Sequence, residues 1–241
     1  MNNLMMDTPL TITSLMEHAE RNFPTREIVS VSSDNPSFRY TYSEAFTRTR
    51  KLANALNSLG ISLGDHVGTL AWNDHRHFEL YYAISCSGAV CHTVNPRLFP
   101  EQLVYIINHA EDQVIFCDPM FVPILENIQD QLTTTKNFIV LTSEEQMPES
   151  TLPGLLCYET LLAQESSEFD WPELDEKTPC SMCYTSGTTG RPKGAVHSQD
   201  AVWANAQLSV AMHDYNPDGR QDRVLTILPM FHVGGLAIQT L

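Results

Sequence analysis

The most regular stretch of the chain is residues 41–60, TYSEAFTRTRKLANALNSLG. A Thr or Ser able to cap stands at its start, apolar residues recur at Phe46, Leu52, Ala53, Leu56 and Leu59, and a glycine ends it. That spacing predicts a helix with one buried face. Downstream the period changes repeatedly. DHVGTLAW, AVCHTV, QVIFCD and NFIVLT read as short apolar strands, with HFELYYAISCSG, PEQLVYIINHA and the segment around FVPILENIQDQL as helices between them. Such an alternation specifies a parallel sheet covered by helices on both faces, so the expected class is α/β.

Residues 144–176 break this pattern. They hold ten acidic residues, Pro148, Pro153 and Pro172, and no Lys or Arg. A charge run of this kind reads as a solvated connector, here with a short helix near Tyr158 to Ala163. The expected organisation is a first α/β region over 1–143, an acidic connector over 144–178, and a further strand with the start of a second sheet region over 179–241.

Composition narrows the function. With 42% hydrophobic and 18% charged residues in 241, the chain can build a core and is not a disordered one. A formal net charge of -15 repels phosphate backbones and anionic lipid, which argues against nucleic acid and against a polybasic membrane anchor. Any anion must therefore be bound by local geometry. No cationic stretch precedes an apolar one near the start, so no secretory signal is visible and the six cysteines are expected to be reduced thiols in the cytoplasm. Cys180 and Cys183 form a CxxC, but on a strand their side chains face opposite sides and no second pair follows, so two packing residues are expected. Residues 224–241 lack Asp, Glu, Lys and Arg, yet Pro229, His232, Gly234, Gly235 and Gln239 make them a strand and loop rather than a membrane span. His66, His75, His77 and His92 fit neither HExxH nor a paired Cys/His spacing, which leaves surface or packing roles, and Arg97, next to Pro96, reads as a structural ion-pair residue in preference to a coenzyme A contact.

The densest chemistry lies in residues 183–198, CYTSGTTGRPKGAVHS. A β-type run feeds a loop in which Gly187, Gly190 and Gly194 permit close backbone approach. Ser186, Thr188 and Thr189 add hydroxyl donors and Lys193 adds a full charge. These are the parts of a polyphosphate cradle. Lys193 follows a proline and precedes a glycine, so the loop is not a Walker A loop. An ordinary turn draws on the same residue types but has no need for this order straight after an apolar strand.

YTSGTTGRPKG resembles the signature loop of the adenylate-forming enzymes, the superfamily of acyl-CoA synthetases, luciferases and peptide-synthetase adenylation domains. The resemblance covers the whole chain. NPRLFPEQLVYIINHAED is similar to medium- and long-chain fatty-acid CoA ligases, and LPMFHVGGLAIQTL also resembles ligases for aromatic acids. It implies that a carboxylate, expected to be a fatty acid, attacks the α-phosphorus of ATP, and that coenzyme A captures the acyl-adenylate. Carried over by position, Thr185, Ser186, Gly187, Thr188, Thr189, Gly190, Arg191, Pro192, Lys193 and Gly194 would hold the phosphates. Thr185 would be a Mg²⁺ ligand, and Lys193 and His232 would serve the reacting groups, His232 near the carboxylate and α-phosphate. An aromatic-acid CoA ligase and a non-catalytic nucleotide-binding remnant are the alternatives. Where relatives read Ser-His, this chain reads Ser198-Gln199, a change expected to matter little. The resemblance also implies an incomplete N-terminal part of that fold, without the C-terminal domain, and a fragment expected to be inactive alone. A homodimer is compatible with the full-length parent.

Overall fold

The computed structural model describes residues 7–185, 190–213 and 223–235. Its centre is a seven-stranded sheet of β3 (His66–Leu70), β4 (Val90–Thr93), β5 (Val114–Cys117), β6 (Asn137–Val140), β7 (Leu155–Cys157), β8 (Pro179–Thr185) and β9 (Lys193–Ser198). In space these run β7-β6-β5-β3-β4-β8-β9. β3 to β8 are mutually parallel, and β9 closes one edge as the antiparallel partner of β8. A separate antiparallel hairpin, β1 (Glu27–Ser30) with β2 (Phe38–Thr41), precedes the sheet.

Alternation along the strands sends side chains to two helical layers. Val114 and Phe116 join Val67, Cys91 and Ile139 beneath α2 (Tyr42–Ser58), α3 (His75–Cys86) and α6 (Tyr158–Ala163), which contribute Leu52, Leu56, Leu80, Ile84 and Leu162. Ile115 and Cys117 face the other way with Leu70, Val94 and Val140, against Leu103, Ile106 and Ile107 of α4 (Pro100–Ala110) and Leu125 and Ile128 of α5 (Val122–Ile128). The helix expected over 41–60 is α2, capped by Thr41, whose hydroxyl accepts from the Glu44 amide while Glu44 accepts from the Thr41 amide.

Two expectations are corrected. The acidic stretch is not only a connector, because Leu155–Cys157 pairs with β6 and extends the sheet before α6 begins. Nor does β8 start a second sheet, because it lies beside β4, with Cys91 opposite Ser181 and Thr93 opposite Cys183. Backbone amides that would otherwise lie bare along the edge of β4 recruit the later strand.

Gln199, given little weight in the sequence, is fully buried at the start of α7 (Gln199–His213). Its carbonyl accepts from the Ile12 amide at 2.9 Å and its amide donates to the Ser85 carbonyl at 2.8 Å. It thereby ties α1 (Ile12–Asn22) to α3. Gln199→Ala orphans the Ile12 amide and opens a void, so chemical unfolding should show a loss of roughly 2–4 kcal/mol. An unchanged unfolding midpoint would remove the clamp from the account.

A second tie is ionic. Arg48 donates to Glu79 at 2.7 Å and, through both terminal nitrogens, to Glu159 at 2.9 and 3.0 Å. Arg76 bridges Glu159 at 2.7 Å to Asp34 at 3.0 and 2.7 Å, and the Tyr158 hydroxyl donates to the remaining Glu79 oxygen at 2.6 Å. Burial would raise the Asp34 carboxyl, but the Arg76 guanidinium and the Ser32 hydroxyl outweigh it and hold Asp34 well below the usual carboxylate range. For Glu79, completely enclosed, burial outweighs Arg48 and the carboxyl stays above that range.

Candidate functional site

All the parallel strands end at one edge of the sheet. The connection from β3 to β4 crosses through α3 on one face, and the one from β4 through α4 crosses on the other to reach β5 on the far side of β3. This reversal makes the ends of β3 and β4 a topological switch point, the place where open α/β sheets bind ligands.

The turn after β3 is fixed from several sides. The Trp72 amide donates to Asp118 at 2.8 Å, and His77 Nδ1 donates to the Trp72 carbonyl at 2.8 Å while its Nε2 meets the Thr69 hydroxyl at 3.1 Å. Burial pushes the His77 imidazole down to about 4, which keeps it neutral as this bonding requires. Asp74 caps α3 by accepting from the His77 amide at 2.8 Å; burial and then the nearby Asp118 charge push its carboxyl up to about 7, and burial, outweighing the Trp72 amide and Arg76, brings Asp118 to about 6. Arg97 lies with its guanidinium carbon 5.4 Å from the Trp72 ring centroid, a ring contact rather than the expected ion pair.

Asn73 is free to reach outward and anchors the late segment of the chain. Its amide donates to the carbonyls of Thr226 at 3.1 Å and Leu228 at 2.8 Å, and its carbonyl accepts from the Met230 amide at 2.7 Å. The Tyr81 hydroxyl donates to the Met230 carbonyl, the Thr93 hydroxyl donates to the Phe231 carbonyl at 3.0 Å, and Phe231 packs edge-on against Trp72 at 5.5 Å. His232 follows at once, exposed, with its Nδ1 accepting weakly from the Gly234 amide at 3.4 Å. The segment is thus pinned at the switch point and presents an imidazole there. Asn73, Tyr81 and Thr93 were not singled out in the sequence. Only the position of Asn73, a polar residue directly after an apolar strand, was a signal.

The glycine-rich loop leaves from the adjacent strand. Thr93 pairs with Cys183, two residues before β8 ends at Thr185. Thr185 and Lys193 face each other across the β8–β9 pair, as do Tyr184 and Gly194. Of the expected phosphate residues, Thr185, Gly190, Arg191, Pro192, Lys193 and Gly194 gather at this hairpin end, whereas Ser186, Gly187, Thr188 and Thr189 lie outside the described residues. Lys193 is exposed and forms no ion pair among the described residues. The Thr185 hydroxyl is exposed and, among the described residues, makes only a long 3.4 Å contact with the Lys193 carbonyl. A Cβ on Gly190 would meet nothing within 4 Å, while one on Gly194 would stand 2.9 Å from Met182 Sδ. Arg191 is turned aside, its guanidinium carbon 5.3 Å from the Tyr105 ring centroid. An ammonium uncommitted among the described residues, beside open backbone at Gly190 and an exposed, weakly bonded hydroxyl, suits a multiply charged anion and a hard cation with it.

Among the described residues no group of three or more His, Cys, Asp or Glu could hold a metal ion, and no helix is long and apolar enough to cross a membrane. Cys180 and Cys183 are free thiols, the first buried and the second half-buried. His75 and His77 are buried in packing contacts, and His66 bonds the Ala110 carbonyl.

Residues 16–241 match the AMP-binding enzyme family. The chain is 44% identical over 236 residues to the 3-methylmercaptopropionyl-CoA ligase of Ruegeria lacuscaerulensis, covering 95% of this chain and 42% of that protein. It is 43% identical over 229 residues to the medium-chain-fatty-acid–CoA ligase of Ectopseudomonas oleovorans, with the same 95% and 42% coverage. The anthranilate CoA ligase AuaEII, solved with anthranoyl-AMP, superposes with a TM-score of 0.80 over 96% of this chain and 43% of its own, at 22% identity, a likeness of fold alone. The chain spans less than half the length of these relatives.

Proposed function

The chain belongs to the AMP-binding enzyme family, and we propose that the protein it spans is an ATP-dependent acid–thiol ligase acting on an aliphatic carboxylic acid. The observation that supports this reading is that β8, which carries Thr185 opposite Lys193, lies beside β4, whose Thr93 hydroxyl holds the Phe231 carbonyl next to His232. In the first step a carboxylate oxygen attacks the α-phosphorus of ATP and the bond to pyrophosphate breaks, leaving an acyl-adenylate. In the second the sulfur of coenzyme A attacks the acyl carbon, its proton is lost, and AMP departs.

Negative charge grows on the leaving pyrophosphate in the first step. Donors already fixed around those oxygens favour the transition state over the ground state. In this reading backbone N–H groups among residues 185–194, Pro192 excepted, and the Lys193 ammonium do that work, and His232 orients the carboxylate or the α-phosphate from the pinned 226–231 segment. Mg²⁺ would take the Thr185 hydroxyl among its oxygen ligands and neutralise phosphate charge. Arg191 must leave Tyr105 to contribute.

The two relatives named above, at 43–44% identity, are ligases of a short thioether acid and of medium-chain fatty acids, which supports an aliphatic substrate. Six free thiols, five of them buried, suit a reducing cytoplasm. The test is ATP–pyrophosphate exchange by the complete protein with aliphatic acids of graded length and with benzoate-like and cinnamate-like acids. Exchange with aliphatic acids is expected. Exchange only with aromatic acids would overturn the substrate class, and ATP binding without exchange for any acid would make the protein a nucleotide-binding remnant.

A further inference from the structure

Close to the glycine-rich loop lies a polar pair that neither the fold nor the chemistry above uses. His92 of β4 and Asp112, just past α4, are both wholly buried, with Nδ1–H of the histidine donating to Oδ2 of the aspartate at 2.7 Å. The carboxylate fills a notch left by Gly68, on which a Cβ would stand 3.0 Å from that same oxygen. The other two polar atoms of the pair, His92 Nε2 and Asp112 Oδ1, have no hydrogen-bond partner among the described residues. A buried polar atom left so is unfavourable, and an apolar pair of similar volume would hold this part of the sheet at least as well. Stability alone is a poor reason for the pair.

Its neighbour supplies a better one. The His92 ring packs on the Tyr184 ring, centroids 5.1 Å apart and planes at 53°. Tyr184 precedes Thr185 and pairs across the hairpin with Gly194, which follows Lys193. Its hydroxyl also bonds His109 Nδ1 of α4 at 2.6 Å, and a Cβ on Gly194 would come within 3.4 Å of its ring. Tyr184 is therefore the surface on which both ends of the loop rest. A carboxylate that accepts from Nδ1–H fixes the plane of the imidazole, and a fixed plane is what a directional ring contact needs.

We propose that His92 and Asp112 are positioning residues for the triphosphate: Asp112 orients His92, His92 seats Tyr184, and Tyr184 sets the spacing of Thr185 and Lys193. This rests on the reading of the loop given above. Neither residue touches the substrate.

The test is calorimetric titration of the complete protein with ATP and Mg²⁺, together with steady-state kinetics. Asp112→Leu removes the orienting acceptor and should weaken ATP binding roughly ten- to a hundredfold, raising KM for ATP while KM for the acid stays within about twofold. Asp112→Asn keeps an acceptor for Nδ1–H and should bind ATP nearly as wild type does. The double variant His92→Leu, Asp112→Leu replaces the pair by apolar groups and should unfold no more easily than wild type, yet bind ATP as poorly as Asp112→Leu. A folded double variant with wild-type ATP affinity would overturn the proposal, as would failure of both leucine variants to fold while Asp112→Asn behaves normally. If wild type itself binds no ATP, the loop reading falls and the proposal with it; equal affinity in wild type and variants defeats the proposal alone.

Discussion

Replacing Lys193 with alanine should slow ATP–pyrophosphate exchange by roughly 10²–10³-fold, the cost of removing one fixed donor from a developing oxyanion. The chain carries a formal net charge of -15, so nothing long-range draws ATP in and attraction must come from groups at the site. Lys193 is the exposed cation at the hairpin end that no carboxylate neutralises among the described residues, and Arg191 is occupied on Tyr105. Its loss leaves the amides without a full charge beside them. Lys193→Arg should restore only part of the rate, because a planar fork with its charge spread over three nitrogens does not place that charge where a compact ammonium does. The Michaelis constant for the acid should hardly move. Exchange in Lys193→Ala within threefold of wild type, measured at saturating acid, would remove the lysine from the mechanism.

The largest expected effect on stability is at Arg48. Arg48→Met leaves Glu79, 0% exposed, as a buried carboxylate whose remaining hydrogen bond comes from Tyr158, and it takes two bonds from Glu159. Breaking a buried pair from one side costs about 3–5 kcal/mol. Urea unfolding of Arg48→Met should show that loss, and the double variant Arg48→Met, Glu79→Gln should lose much less than the sum of the single changes. The variant should also respond to pH. Burial already raises the Glu79 carboxyl, and without Arg48 it rises further, so protonation on folding stabilises the variant at low pH and that benefit is lost as pH climbs through the raised value. The deficit against wild type should therefore narrow as pH falls from 8 towards 5. A deficit independent of pH, with additive single and double variants, would mean that the charges do not interact.

Much of this architecture was legible because its determinants are local. PEQLVYIINHA carries a proline at the first helical position and apolar residues three and four apart, and it forms α4 with those bounds. The alternation of strands and helices from β3 to β6 follows from the same kind of signal, and α6 stands where the short helix was expected. What was missed depends on partners far along the chain. Leu155–Cys157 is three residues in an acidic, proline-rich stretch and becomes a strand because β6 offers an open edge. The placement of β8 beside β4 joins residues some 90 apart, a parallel pairing that no local pattern encodes. Gln199 was read as a departure from the histidine of relatives with little effect, and its two long-range bonds emerge only when α1 and α3 meet. Of the candidate site, the position of the glycine-rich loop directly after an apolar strand was legible from the order of residues, whereas His232 was marked only by the family resemblance. The anchors Asn73, Tyr81 and Thr93 were not, since each is an ordinary side chain made relevant by the segment it holds.

A crystal structure of the complete protein with a non-hydrolysable ATP analogue and Mg²⁺ addresses the phosphate cradle itself. The account expects the β- and γ-phosphate oxygens within hydrogen-bonding distance of backbone amides in residues 185–194 and of Lys193 Nζ, with the Thr185 hydroxyl on the metal. Phosphates bound elsewhere, or a hairpin end whose amides are all engaged by protein with the analogue in place, would contradict it.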